Sequence, residues 1–250
     1  MKLSGAGGVI SGIRRRCRDF AWIMGKRCPV CGAVLEVLPR DLSLCPDCSR
    51  ELQPRTGGFC GVCARIYALE DESTHLCYDC RNHSFSWQGM SFFSVYQGLL
   101  KELILRYKFS ADLGLGNALG DLLLIAARRQ PCDDMDSIIP VPVHSGRLRQ
   151  RGFNQSLELA RILGRRINIQ VETETLVKTR PTPPQSSMKR KLRLKSLKNV
   201  FAVKDDSLTG KSVLLVDDIM TTGSTLEQCT RTLLLAGASE VRVVFLARAV

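Results

Sequence analysis

No run in this 250-residue chain approaches the roughly 20 uncharged apolar residues that a membrane-spanning helix needs. The best apolar candidate, residues 119–127, is short and carries Asp121. The start is a poor match to a secretory leader, because Arg14, Arg15 and Arg16 follow the Gly-rich run instead of preceding an apolar one. Aromatic residues are scarce at 6%, which argues against an extended stacking platform for single-stranded nucleic acid. Acidic residues are outnumbered, 24 against 36 Lys and Arg, and the resulting +12 favours polyanionic partners such as nucleic acid or phosphorylated small molecules. A hydrophobic content of 44% excludes wholesale disorder, and the length suits one α/β domain with a small appendage.

Cysteine, by contrast, is plentiful. Eight of the eleven cysteines form four Cys-x-x-Cys pairs between residues 28 and 80. Cys28 and Cys31 precede Cys45 and Cys48 by thirteen residues, and Cys60 and Cys63 precede Cys77 and Cys80 by the same gap. The second set is the first shifted by 32 residues, with Leu44 and Leu76 in equivalent places. Two residues between cysteines let both thiolates of a knuckle face one ion, and two knuckles complete a Cys₄ shell. Units this small lack a core, so the metal supplies their folding energy. Two structural zinc ions in tandem ribbons are therefore expected, with reduced thiols in a cytoplasmic chain. A crossed pairing, first with third and second with fourth, fits the same counts. His75 and His83 read as surface residues beside the knuckles. Cys17, Cys132 and Cys229 stand alone, and Cys229 lies on the apolar face of an expected helix.

Beyond the ribbons, strands and helices alternate. Short strands are expected at 91–96, 137–143, 171–177, 213–216 and 241–246. Helical periodicity marks 99–107, 113–129, 153–167 and 226–236. The apolar run Val213-Leu214-Leu215-Val216 is what a parallel sheet covered on both faces requires. The expected fold is α/β, a doubly wound parallel sheet. The expected organisation is an extension over 1–27, a double zinc ribbon over 28–84 and the larger domain over 88–250.

The densest functional signal follows that strand: Asp217-Asp218-Ile219-Met220-Thr221-Thr222-Gly223-Ser224-Thr225. A buried strand ends in two carboxylates, and a hydroxyl-rich loop then opens a helix. Backbone N–H groups at a helix start suit a phosphate, and the carboxylates sit where sugar hydroxyls can be held.

This segment resembles the phosphoribosyl pyrophosphate (PRPP) motif of type I phosphoribosyltransferases. The resemblance implies that Asp217 and Asp218 hold the ribose hydroxyls, and that Thr221, Thr222, Gly223, Ser224 and Thr225 cradle the 5′-phosphate. It places the pyrophosphate loop at Pro142 and Val143, followed by Arg147, Arg149 and Arg151, with Arg149 and Arg151 carried over as PRPP contacts. The whole chain resembles the ComF family, also called GntX-like or amidophosphoribosyltransferase-like, in which a zinc ribbon precedes a phosphoribosyltransferase domain. Tyr107-Lys108-Phe109, Arg151-Gly152-Phe153-Asn154-Gln155 and Thr182-Pro183-Pro184-Gln185 carry that likeness. The chain departs from it at Ser186-Ser187, where the family usually has Thr-Gly, and at Ser196, often Asn.

Residues 178–198 hold eight Lys or Arg and no acid, and without them the net charge falls from +12 to +4. In the phosphoribosyltransferases the equivalent loop closes over the diphosphate, which makes Arg193 a candidate catalytic residue beside Asp217 and Asp218. A solvated charge run and a nucleic-acid footprint are the other two readings. The family resemblance implies PRPP with Mg²⁺ as ligand, phosphoribosyl transfer as the chemistry, and a role in DNA uptake during natural competence. Single-stranded DNA and competence or DNA-translocation proteins are the partners it implies. Nucleobase salvage, or PRPP-responsive regulation of nucleic acid, is the alternative.

Overall fold

A computed structural model describes residues 27–35, 44–68, 75–110, 112–132, 134–180, 200–204 and 208–250. Arg193, Cys17, the 182–187 string and most of the basic segment lie outside the described residues.

The larger domain is built on four parallel strands in the order β1-β6-β5-β2. They are β1 (Gly89–Val95), β2 (Ser137–Pro140), β5 (Ser212–Met220) and β6 (Glu240–Arg248). Between β1 and β2 run helices α3 (Gly98–Phe109) and α4 (Gly116–Ala127). After β2 come α5 (Ser145–Arg151) and α6 (Gln155–Ile167), and α7 (Ser224–Leu235) joins β5 to β6. Both faces of the sheet are buried, as the unbroken apolar runs require. Phe93, Leu214, Val216, Val244 and Leu246 pack with α4 and α6, while Phe92, Val213, Leu215, Val243 and Phe245 pack with α7. The period-two alternation of the strands thus separates two cores.

The expected strand over 171–177 takes another form. Val171 makes a lone parallel bridge to Ile138, and β3 (Leu176–Lys178) pairs antiparallel with β4 (Phe201–Val203) in a separate ribbon. Its Glu-Thr-Glu-Thr stretch lacks the two apolar faces that the interior of a covered sheet demands. The helix expected from 153 is preceded by α5, and Gly152, at φ +82, separates the two.

The cysteine segment forms two copies of one turn. Arg27 bridges Val34 and Phe59 bridges Ile66, each pair closing a knuckle. Short helices α1 (Pro46–Glu51) and α2 (Tyr78–Asn82) start at Cys45 and Cys77, whose backbone angles agree within a degree. Arg55 ties the second copy to the sheet: its N–H bonds the Phe93 carbonyl at 2.8 Å and its guanidinium reaches the Gly57, Gly58 and Tyr67 carbonyls.

Candidate functional site

Each metal shell is assembled from neighbouring pairs. Cys28, Cys31, Cys45 and Cys48 converge so that their sulfurs lie within 4.8 Å of one another, and Cys60, Cys63, Cys77 and Cys80 do the same. This removes the crossed pairing. Tetrahedral zinc–thiolate geometry needs sulfurs about 3.8 Å apart, and the Cys31–Cys45 and Cys63–Cys77 separations are 3.5 and 3.7 Å. Burial opposes the Cys28 thiolate, yet the N–H groups of Cys45, Cys31 and Val30 outweigh it and draw the thiol down to about 6. Burial likewise opposes Cys60, and the N–H groups of Cys77, Cys63 and Val62 bring it down to about 7. Four sulfur donors, one of them already favoured as thiolate, fit a closed structural zinc site. His75 stacks on Tyr67 outside the shell.

The second site is a cavity of about 560 Å³ at the carboxyl edge of the sheet. Every strand end contributes to it: Tyr96 after β1, Val141, Pro142 and Val143 after β2, Asp217, Asp218 and Ile219 in β5, and Ala249 after β6. Crevices beyond strand ends are where open α/β sheets bind ligands. Asp217 and Asp218 are the two carboxylates of the lining, and Lys108, Arg147, Arg151 and Lys178 are its four Lys and Arg side chains. The excess of positive charge suits a ligand carrying several phosphates.

The strand does not end at the acidic pair, as its sequence suggested, but runs on to Met220, so both aspartates lie within it. Alternation sends neighbouring strand side chains to opposite faces, so each carboxylate has its own partners. Ser156 donates its hydroxyl to Asp217 Oδ1 at 2.9 Å. Lys108 pairs with Asp218 Oδ2 at 2.7 Å, both side chains being largely buried. Burial pushes the Asp217 carboxyl up to about 7, and the Asp218 charge adds to the rise, against the pull of Lys108, the Asp218 N–H and Ser156.

After Met220 the chain turns through Thr221, Thr222 and Gly223 into α7. Gly223 takes φ +78, a left-handed conformation, and a Cβ there would lie 3.1 Å from the Phe85 ring, so glycine answers both demands. Thr221 and Thr225 line the main cavity. Gly223 and Ser224 line a small recess beside it together with Asp217, while the Thr222 hydroxyl is hydrogen-bonded to that of Ser224 at 2.8 Å.

On α5 the helical period decides among the arginines. Arg147 and Arg151, four apart, share the face that lines the cavity, whereas Arg149 points away and is exposed. Arg149 is thus not brought to the site, and Arg147 is. The strings Tyr107-Lys108-Phe109 and 151–155 meet across the cavity rim. Tyr107 packs edge-on against Phe153 at 5.4 Å, and the Arg151 guanidinium sits over Phe109 at 4.8 Å. Asn154 caps α6 and donates to the Val141 carbonyl at 3.1 Å. Gln155 is 2% exposed, lines the cavity, and its Nε2 has no hydrogen-bond partner among the described residues. Sequence reasoning missed Lys108, Ser156 and Gln155 as site residues. The first and last lie in strings already noticed, but nothing local reveals that Lys108 and Ser156 meet Asp218 and Asp217 or that Gln155 lines the same cavity.

Two family models match this chain, a double zinc ribbon domain over residues 20–81 and a phosphoribosyl transferase domain over residues 154–249. The DNA utilization protein YhgH of Shigella flexneri is 34% identical over 220 residues, covering 82% of this chain and 96% of that protein. Competence protein F of Haemophilus influenzae is 31% identical over 229 residues, covering 89% and 97%. The chain belongs to the ComF family. Competence protein ComFC of Bacillus subtilis is a further relative at 31% identity, covering 81% of this chain and 82% of that protein. As expected of a ComF family member, the chain joins a double zinc ribbon to a parallel α/β sheet of phosphoribosyltransferase type. Among the described residues no helix is long and apolar enough to cross a membrane.

Proposed function

We propose that this ComF family member binds PRPP in the cavity at the carboxyl edge of its sheet and acts in the cytoplasmic handling of DNA taken up during competence. One observation carries the reading: the two carboxylates of β5, Thr221 and Thr225 of the following loop, and four cationic side chains from α3, α5 and β3 line one cavity. The 5′-phosphate lies on the N–H groups and hydroxyls of residues 221–225 at the start of α7. The ribose hydroxyls donate to Asp217 and Asp218. The pyrophosphate lies against residues 142–147, Arg151 and Lys178, and Gln155 Nε2 donates to a ligand oxygen. Both cavity carboxylates are engaged, with Ser156 and Lys108. That fits a Mg²⁺ ion held mainly by oxygens of PRPP, where it would neutralise charge on the leaving diphosphate.

Phosphoribosyl transfer at this site breaks the bond from C1 of the ribose to the diphosphate and forms one from C1 to a nucleophile. Asp217 and Asp218 keep negative charge near the developing cation, and Lys178 and the arginines receive the diphosphate. Among the described residues Tyr96 is the one Phe, Tyr or Trp side chain lining the cavity, with His144 as the other ring, and so small a stacking surface disfavours a nucleobase clamp and with it the salvage alternative. The relatives named for DNA utilization and competence support DNA as the second ligand, proposed as a single strand, with exposed Arg149 and the 178–198 segment beyond Lys178 as its contacts.

Calorimetry with Mg²⁺ and PRPP tests the site. Wild type binds, and Asp217→Asn loses about tenfold or more in affinity, as expected when a charged acceptor is removed. Because Asp217 is raised to about 7, its acceptor form grows as pH rises through neutrality. Wild-type affinity therefore increases between pH 6 and 8 relative to that of Asp217→Asn, the ligand's own titration being common to both. No binding by wild type overturns the reading.

A further inference from the structure

The last residue of β6, Arg248, stands in register beside Met220, the residue from which the phosphate loop departs. Its guanidinium faces two ways. Nε donates to the Cys63 carbonyl at 3.1 Å, while Nη1 donates to the Met220 carbonyl at 3.2 Å and to those of Thr221 and Ala249. Cys63 is a ligand of the second metal shell, so a single planar fork of donors joins a zinc knuckle to the first residue of the loop.

Two further links run in parallel. The Trp87 indole donates to the Val62 carbonyl at 2.9 Å, and Val62 lies inside the same knuckle. Trp87 stacks on Phe85 at 4.2 Å, and Phe85 is the ring that covers Gly223. Between them, Ser86 gives its N–H and hydroxyl to the two oxygens of Glu227 at 2.8 Å each, and Glu227 donates its own N–H to the Gly223 carbonyl. The carbonyls of Val62 and Cys63 point where they do because Cys60 and Cys63 turn their sulfurs to one centre, with Ala64 at φ +51 completing the turn. The first shell makes a different connection: Arg106 of α3 reaches the Val30 carbonyl at 3.4 Å, and its cysteines pack with Leu44, Leu52 and the α3–α4 layer.

We propose that the second zinc site, and not the first, sets the geometry of the phosphate loop, with Arg248 as the positioning residue that transmits it. The proposal rests on reading 221–225 as the cradle of a phosphate-bearing ligand. Zinc bound by Cys60, Cys63, Cys77 and Cys80 fixes the knuckle carbonyls. Arg248 and the Trp87–Phe85 pair then hold Thr221 and Gly223 in the conformation the ligand meets.

The test uses the full-length chain, with zinc content measured for every variant. Hydrogen exchange of residues 221–227 is followed without ligand, and Mg²⁺–PRPP affinity is measured alongside. Exchange over 221–227 is expected to accelerate about tenfold or more in Cys77→Ser and in Arg248→Met, with a parallel loss of affinity. Cys45→Ser, which opens the first shell, leaves both at wild-type values, and Arg248→Lys recovers part of the protection. Wild-type exchange in Arg248→Met, or equal acceleration in Cys45→Ser, overturns the proposal. Should Cys77→Ser fail to fold, Arg248→Met decides, because it retains all eight ligands. Should wild type not bind PRPP, the ligand reading falls, while exchange still decides whether the second shell holds the loop.

Discussion

The two zinc ribbons share a skeleton and differ in almost everything around it. Cys28 and Cys60 are both buried and both drawn down by three backbone donors. Yet Leu44 is fully buried while Leu76, its counterpart 32 residues on, is 42% exposed. Cys31 is exposed where Cys63 is buried. Gly32 takes φ +77, whereas Ala64 holds the same left-handed turn at φ +51. The first ribbon meets the α3–α4 layer, and the second meets α7 and the loop that starts it. A repeat of ligands therefore guarantees a repeat of metal shells and nothing about their employment.

Substitution at matched positions breaks the symmetry most visibly at the leucines. Leu44→Ala removes a side chain from a closed core and costs about 2–5 kcal/mol, while Leu76→Ala costs less than about 0.5 kcal/mol. Urea unfolding of the two variants should separate them; equal losses would mean the ribbons are packed alike. A smaller difference is expected in metal release. Cys31 offers the first shell an accessible sulfur, so a thiol reagent should eject one zinc several-fold faster than the other, with Cys31 labelled first. Mass spectrometry of partly reacted protein identifies the site, and Cys63 labelled first would refute the expectation. The smallest effect concerns the knuckle turn. Gly32→Ala places a Cβ in the left-handed region and should cost about 1 kcal/mol, and Ala64→Gly should gain no more than that. Thermal unfolding of both zinc-loaded variants measures the pair.

How much could be read in advance depended on how local each feature was. Cys-x-x-Cys spacing, the strand–carboxylate–hydroxyl order around Asp217, and the two-faced apolar strands 213–216 and 241–246 all declare themselves within a few residues. Arg149 and Arg147 were not separable, because the choice required knowing that 145–151 is a helix and how it is turned. The 171–177 segment misled for a related reason: β-branched residues favour a strand, but its alternating glutamates bar it from a covered sheet.

By itself, the sequence determined which cysteines belong to metal shells and which loop is proposed to hold a phosphate, since both depend on short-range spacing and backbone turns. It also determined the class of fold, through periodicity. Only the tertiary structure decided that pairs one and two share an ion, that Lys108 and Ser156 attend the two aspartates, and that Arg248 reaches Cys63 across 185 residues of sequence. Contacts of that kind form when the sheet brings strand ends to one edge, and sequence separation carries no trace of them.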